Sequence, residues 1–162
     1  MTIETRMGAV LDALEREYGR PSRRPPLPPI DELILTILSQ HTSDLNTARA
    51  FQSLRQRFPS WQAVIDATME EVADAIHSGG LANAKAPRIQ QVLRDVHQRL
   101  GNFDLGILGG MNLGEARLWL TCFKGVGPKT APCVLLFSLN LPALPVDTHV
   151  HRVSLRLGLV PP

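Results

Sequence analysis

The 162-residue sequence predicts an all-α fold, and three observations carry that expectation. Apolar residues recur at three- and four-residue spacing along most of the chain, nothing alternates with period two for long enough to make a sheet, and helix-start signals repeat at short intervals. Composition agrees, with 44% hydrophobic and 20% charged residues as in globular domains. No apolar run reaches the roughly 18 residues of a membrane span, and Met1 to Arg6 lacks the basic and apolar regions of a signal peptide. An intracellular, cytoplasmic protein without a membrane partner is the expectation.

The first helix is read from Ile3, Met7, Val10, Leu11, Leu14 and Tyr18, an amphipathic stripe that needs a packing partner. Residues 21–29 hold five prolines, which exclude a helix or central strand and make a stiff linker. Ile30–Leu38 is apolar on nearly every side, with Asp31 and Glu32 in its first turn, as a central helix requires. A polar turn, Ser39 to Asp44, precedes a third helix with Leu45, Ala48, Phe51 and Leu54. Ser60 can cap a short helix bearing Trp61, Val64 and Ile65, and Thr68 with Glu71 makes a capping box before Val72, Ala75 and Ile76. Ser78-Gly-Gly-Leu81 breaks that helix; Ile89, Val92, Leu93, Val96 and Leu100 define the next, which Gly101 ends as a left-handed cap. A glycine-rich loop leads to Asn112 and Glu115, a second capping pair, and to a short helix, Leu113–Phe123. After Gly125-Val-Gly127, a helix from Pro128 to about Asn140 is expected, then a proline-broken connector. Val146-Asp147-Thr-His opens a last helix ending at Gly158. About eight helices result, divided as 1–29 (amphipathic helix and linker), 30–146 (helical domain) and 147–162 (start of a second, incomplete helical domain).

Charge is uneven along the chain. Nine Lys and Arg stand against four acids in residues 81–162, while residues 31–80 hold three Arg against seven acids. A basic C-terminal half suits a nucleic-acid-facing surface, although random drift on a solvated face gives the same pattern. Cys122 and Cys133 are too few for a disulfide framework or a four-cysteine metal site and read as small core residues. His149 and His151, two apart on a helix, point to different faces and make no metal pair.

The segment Phe123-Lys-Gly-Val-Gly-Pro-Lys-Thr-Ala131 carries the chemistry. A phosphate-cradling P-loop needs glycine directly before the lysine and a strand before the loop; Pro128 and a helix stand there instead, which argues against a nucleotide-binding enzyme. What remains is two helices joined by a tight Gly-x-Gly hairpin. Its backbone N–H groups and the following helix N-terminus can hold one phosphate of a nucleic-acid backbone, and an ordinary helix corner is an equal reading of the turn alone. Lys129 adds to the first reading. In the first turn of a helix an ammonium faces the positive end of the macrodipole, which favours the neutral amine and makes Lys129 a candidate nucleophile toward a sugar carbon. Asp147, opening the next helix, is the candidate carboxylate partner, with a helix cap as its default role.

Gly125-Val-Gly-Pro-Lys-Thr-Ala131, followed after 18 positions from Lys129 by Asp147 in Val146-Asp-Thr-His149, resembles the helix-hairpin-helix and Gly/Pro-Asp signature of the endonuclease III family of DNA glycosylases. Leu38-Ser-Gln-His-Thr-Ser-Asp44 resembles that family's strand-separating turn, and Gly80-Leu-Ala-Asn-Ala-Lys-Ala86 its second DNA-facing turn. The resemblance runs from about Asp31 to Leu159.

It implies a base-excision repair enzyme acting on double-stranded DNA with damaged or abasic nucleotides, and a monomer. A flipped base would be expelled by attack of Lys129 on the deoxyribose C1′, and the resulting imine would nick the strand by β-elimination. Asp147 would promote the attack and stabilise the charged intermediate. Gly125, Val126 and Gly127 would hold a phosphate, with a monovalent cation on hairpin carbonyls. Leu81 would wedge into the opposite strand and His41 would fill the gap left by the flipped nucleotide. The lysine implies a bifunctional glycosylase and AP lyase, in contrast to the family's adenine-removing branch, and oxidised pyrimidines as substrates. Two departures stand out: His41 replaces an amide, and Pro132 falls about one turn into the catalytic helix, where it removes a backbone bond and shifts Lys129. The family's [4Fe–4S] cluster is expected from the resemblance, but its four cysteines are not in these residues. A truncated product, or a non-catalytic DNA-binding module, is the alternative.

Overall fold

The computed structural model describes residues 2–22 and 24–161. Met1, Pro162 at the end of the expected second helical domain, and Arg23 of the proline-rich linker lie outside the described residues. Among the described residues the chain forms nine α-helices and two short 3-10 turns, with no strand. It divides into two compact units, one made of Met1–Pro25 with Val146–Pro162 and the other of Pro26–Pro145.

In the first unit α1 (Ile3–Tyr18) is capped by Thr2, whose hydroxyl accepts from the Thr5 N–H at 3.2 Å, and ends at Gly19 with φ +71°. The last helix, α9 (Thr148–Arg156), starts from Asp147. Arg6 Nη1 donates to Leu157 O at 3.3 Å and Gly158 O at 2.9 Å, placing a cation on the carbonyl end of α9. Neither helix contains a buried residue. The amphipathic stripe of α1, expected to pack, has Ile3, Leu11 and Tyr18 exposed.

The second unit holds the core. Its centre is α2 (Pro29–Leu38), where Leu33, Ile34, Ile37 and Leu38 are fully buried. Each such side chain contributes about 1.5–3 kcal/mol on burial, which is why a helix without a polar face occupies this position. Around it pack α3 (Asp44–Arg57), α6 (Ala82–Leu100) and α8 (Thr130–Phe137). The helices α4 (Trp61–Asp66) and α5 (Met69–Ala75) lie against α6, and α7 (Leu113–Thr121) against α8. Two side chains tie layers together: Trp61 Nε1 donates to Asp31 Oδ1 at 3.0 Å, and buried Gln90 donates to Val64 O and Ala67 O at 2.9 and 2.8 Å.

Both expected capping boxes form, at Thr68 with Glu71 and at Asn112 with Glu115. Gly101 closes α6 with φ +71°, as its sequence position predicts. The differences are local. The glycine-rich loop is a 3-10 helix, Leu105–Gly110, because Leu105 and Leu108 are both buried and a three-residue spacing puts them on one side. Helices α7 and α8 are shorter than expected at the ends facing the hairpin. Cys133 is buried as expected, whereas Cys122 is exposed at the end of α7. Its thiol reaches Leu118 O at 3.2 Å.

Candidate nucleic-acid interface

Three turns of the second unit carry the sequence-predicted residues other than Asp147. The first follows α2. Ser39 Oγ donates to Thr36 O at 2.8 Å, and Ser43 caps α3, accepting from the Asn46 N–H at 3.3 Å. Between them His41 is exposed with φ +55°. The second turn follows a 3-10 turn, His77–Gly79; Gly80 has φ +68° and Leu81, 58% exposed, has φ +51°. A left-handed conformation costs a branched or bulky L-residue roughly 1–3 kcal/mol and persists only where the surroundings impose it. Among the described residues three non-glycines adopt it, and two of them are His41 and Leu81. The third is Asn140; asparagine and histidine tolerate this region better than most residues, so the strain is greatest at Leu81.

The third turn is the hairpin. The Val126 N–H donates to Phe123 O at 3.0 Å, closing a four-residue turn whose third residue, Gly125, has φ +90°. A type II turn needs that sign of φ, and only glycine supplies it without cost. Val126 is 3% exposed, so its side chain anchors the hairpin in the core while its N–H is used in the turn. Lys129 follows as the N-cap of α8, exposed, with αR backbone and no side-chain cap bond. The next six residues, Thr130 to Leu135, are all buried. A polar residue immediately before such a segment is the last position from which a side chain can reach solvent. Pro132 is the third residue of α8, between the bonds Ala131 N to Gly127 O and Cys133 N to Lys129 O. Having no N–H, Pro132 leaves the position between those two bonds without a donor, so the ladder is interrupted there, close behind Lys129.

Two basic residues of α6 link the three turns. Lys85, 3% exposed, donates from Nζ to Leu38 O at 2.7 Å and to Gly79 O at 2.8 Å, at the roots of the first and second turns. Burial, with a smaller effect from the neighbouring Arg88 charge, holds its amine below the ordinary lysine range. Arg88, three residues on and so on the same helix face, donates from Nη1 to Gln40 Oε1 at 2.7 Å in the His41 turn. It also covers the hairpin, since a Cβ on Gly125 would stand 2.6 Å from Arg88 Cδ. His41, Leu81 and the hairpin with Lys129 are thus brought onto one framework. Asp147 belongs to the first unit, where its Oδ1 accepts from the N–H groups of His149 and Val150 at 2.9 and 2.8 Å. His149 and His151 are both exposed, and His149 Nδ1 lies 2.9 Å from Arg152 Nη2.

Residues 34–162 match the family described as HhH-GPD superfamily base excision DNA repair protein. The chain belongs to this family. Among curated relatives, an Arabidopsis thaliana protein named as a candidate DNA glycosylase is 42% identical over 132 residues, which is 82% of this chain and 45% of that protein. Endonuclease III of Thermotoga maritima is 35% identical over 153 residues, 93% of this chain and 68% of that one. The chain therefore spans about half to two thirds of the length of these two relatives. A solved structure described as a trapped endonuclease III–DNA covalent intermediate has a TM-score of 0.78 at 27% identity, covering 99% of this chain and 71% of that chain.

As an endonuclease III-like HhH-GPD protein the chain has the all-α fold expected of it. The [4Fe–4S] cluster of the family does not fit the residues present: Cys122 is exposed, Cys133 is buried in α8, and among the described residues no three His, Cys, Asp or Glu converge. Lys85, Arg88 and Gln40 are the residues that sequence reading missed. Their one signal was a pair of basic residues three apart on an otherwise apolar helix face.

Proposed function

We propose that this chain is a DNA glycosylase with AP lyase activity, and that Lys129 is its nucleophile. The observation that carries this reading is exposed Lys129 standing at the start of a buried helix, directly after the Gly125–Gly127 hairpin. Relatives named endonuclease III and DNA glycosylase/AP lyase support it, as does the likeness to a structure described as a trapped covalent intermediate.

The Lys129 nitrogen attacks C1′ of the flipped deoxyribose, the C1′–N bond to the base breaks, and the base leaves with the bonding pair. The sugar ring then opens: the nitrogen lone pair forms the C=N bond as the C1′–O4′ bond breaks, O4′ takes the bonding pair and the proton lost from nitrogen, and an imine results. Abstraction of a C2′ proton then expels the 3′ phosphate by β-elimination, and hydrolysis frees the lysine. Asp147 assists by stabilising the cationic sugar. Gly125 and Gly127, with Val126 as anchor, hold a backbone phosphate next to Lys129; a monovalent cation on hairpin carbonyls would add positive charge there. His41 and Leu81 enter the stack from the two exposed left-handed turns, and oxidised pyrimidines are the substrates.

Borohydride trapping on duplexes containing thymine glycol or an abasic site tests the assignment. A covalent adduct from the unaltered chain, absent with Lys129→Gln, is expected. An adduct from Lys129→Gln, or none from the unaltered chain, removes Lys129 from the role. A second reading, a non-catalytic DNA-binding module, is favoured by the engagement of Asp147 as a two-bond helix cap. It requires salt-dependent duplex binding without lesion preference and without trapping.

A further inference from the structure

We propose that Lys85 is a positioning residue that fixes the separation of the two strand-entering turns, so that His41 and Leu81 meet the duplex as one rigid unit. The inference rests on the reading of His41 and Leu81 as the residues that open DNA.

Three observations lead to it. One nitrogen bonds both Leu38 O and Gly79 O, so those two oxygens cannot be farther apart than the sum of two hydrogen-bond lengths. Leu38 is the last residue of α2, where helical donors for the carbonyls run out, and His41 follows three residues later. Gly79 O stands two residues before Leu81. Both turns then place a non-glycine residue in the left-handed region, a conformation that needs support on either side. Gly79 is itself held close, because a Cβ there would stand 3.0 Å from Ala50 Cβ on α3.

The price of this arrangement also points away from a purely stabilising role. Lys85 donates to two neutral carbonyls, and an ammonium buried on carbonyls loses more hydration than a packed apolar side chain would. What the ammonium supplies, and a leucine or methionine cannot, is a two-pronged link between the ends of α2 and the 3-10 turn.

The test uses the full chain and two readouts. A duplex carrying a tetrahydrofuran abasic analogue beside 2-aminopurine reports unstacking on binding, with no chemistry required. Borohydride trapping on a single-stranded abasic oligonucleotide reports the Lys129 amine with no duplex to open. Lys85→Met is expected to lower the fluorescence rise at saturating protein, and duplex trapping by about tenfold or more, while single-strand trapping is unchanged. Equal loss on both substrates, or unaltered unstacking, overturns the proposal. If the unaltered chain traps neither substrate, the nucleophile assignment fails, and the unstacking comparison still judges Lys85.

Should Lys85→Met fail to fold, Gly79→Ala serves instead. Its methyl presses on Ala50 and moves the Gly79 carbonyl while leaving the ammonium in place. A smaller loss of unstacking is expected, restored by adding Ala50→Gly. No loss with Gly79→Ala, or loss that Ala50→Gly does not restore, overturns the proposal.

Discussion

Gly125 shows how much a single residue carries. Its φ of +90° and the Arg88 side chain against it exclude a β-carbon for two separate reasons, one intrinsic to the backbone and one tertiary. Gly125→Ala should cost about 1–3 kcal/mol of stability, measured by urea denaturation. In an Arg88→Ala background only the backbone part remains, so the double-mutant cycle should show coupling above about 0.5 kcal/mol. Additive losses would show that Arg88 does not press on the hairpin. The glycine, the lysine and their spacing were legible from sequence because a tight turn before a buried helix admits few residue types. Arg88 and Lys85 were not, since their partners Gln40, Leu38 and Gly79 come from distant or separate turns and only the fold brings them within 3 Å.

At the scale of elements, caps and central packing were the most readable features. Thr68→Ala removes the hydroxyl that donates to the Glu71 carboxylate and accepts from the Glu71 N–H, and leaves the backbone N–H as the carboxylate's other partner, so it should lower stability by about 1 kcal/mol. Those two partners, the Thr68 backbone N–H first and its hydroxyl second, hold Glu71 below the ordinary carboxylate range. The contribution of the ionised box is therefore present above that range and lost as pH falls through the lowered value. A pH series of thermal midpoints should show the difference between Thr68→Ala and the unaltered chain shrinking in acid. Boundaries beside the hairpin were less legible. The four-residue turn at Phe123 to Val126 takes residues that would otherwise extend α7, and α8 begins only after Lys129. Helical periodicity says nothing about where a turn of that type starts to compete.

For the molecule as a whole, the informative group is one that is costly to bury. Lys85 releases its proton more readily in the folded state than the unfolded chain does, through desolvation first and the Arg88 charge second. Between its lowered value and the ordinary 10.5 the unfolded chain binds more protons, so stability gains from Lys85 as pH rises through that window. Urea midpoints across the alkaline range should show this gain in the unaltered chain, and Lys85→Met should lack it. The fold class was legible because nearly the whole core of the second unit is helical periodicity made solid. The stripe of α1 was legible as a pattern but not as a contact, because periodicity shows which face is apolar and never what covers it.

His41 and Leu81 place two demands on the same backbone. A residue relaxed into ordinary dihedral angles would make the folded chain harder to melt, yet, on the proposed role of these two residues, it would have to be twisted back at the moment of encounter with DNA. If both enter the duplex as proposed, carrying that distortion in advance lowers the ordering entropy lost on arrival, and thermal robustness and speed of duplex opening become opposed properties of the same two positions.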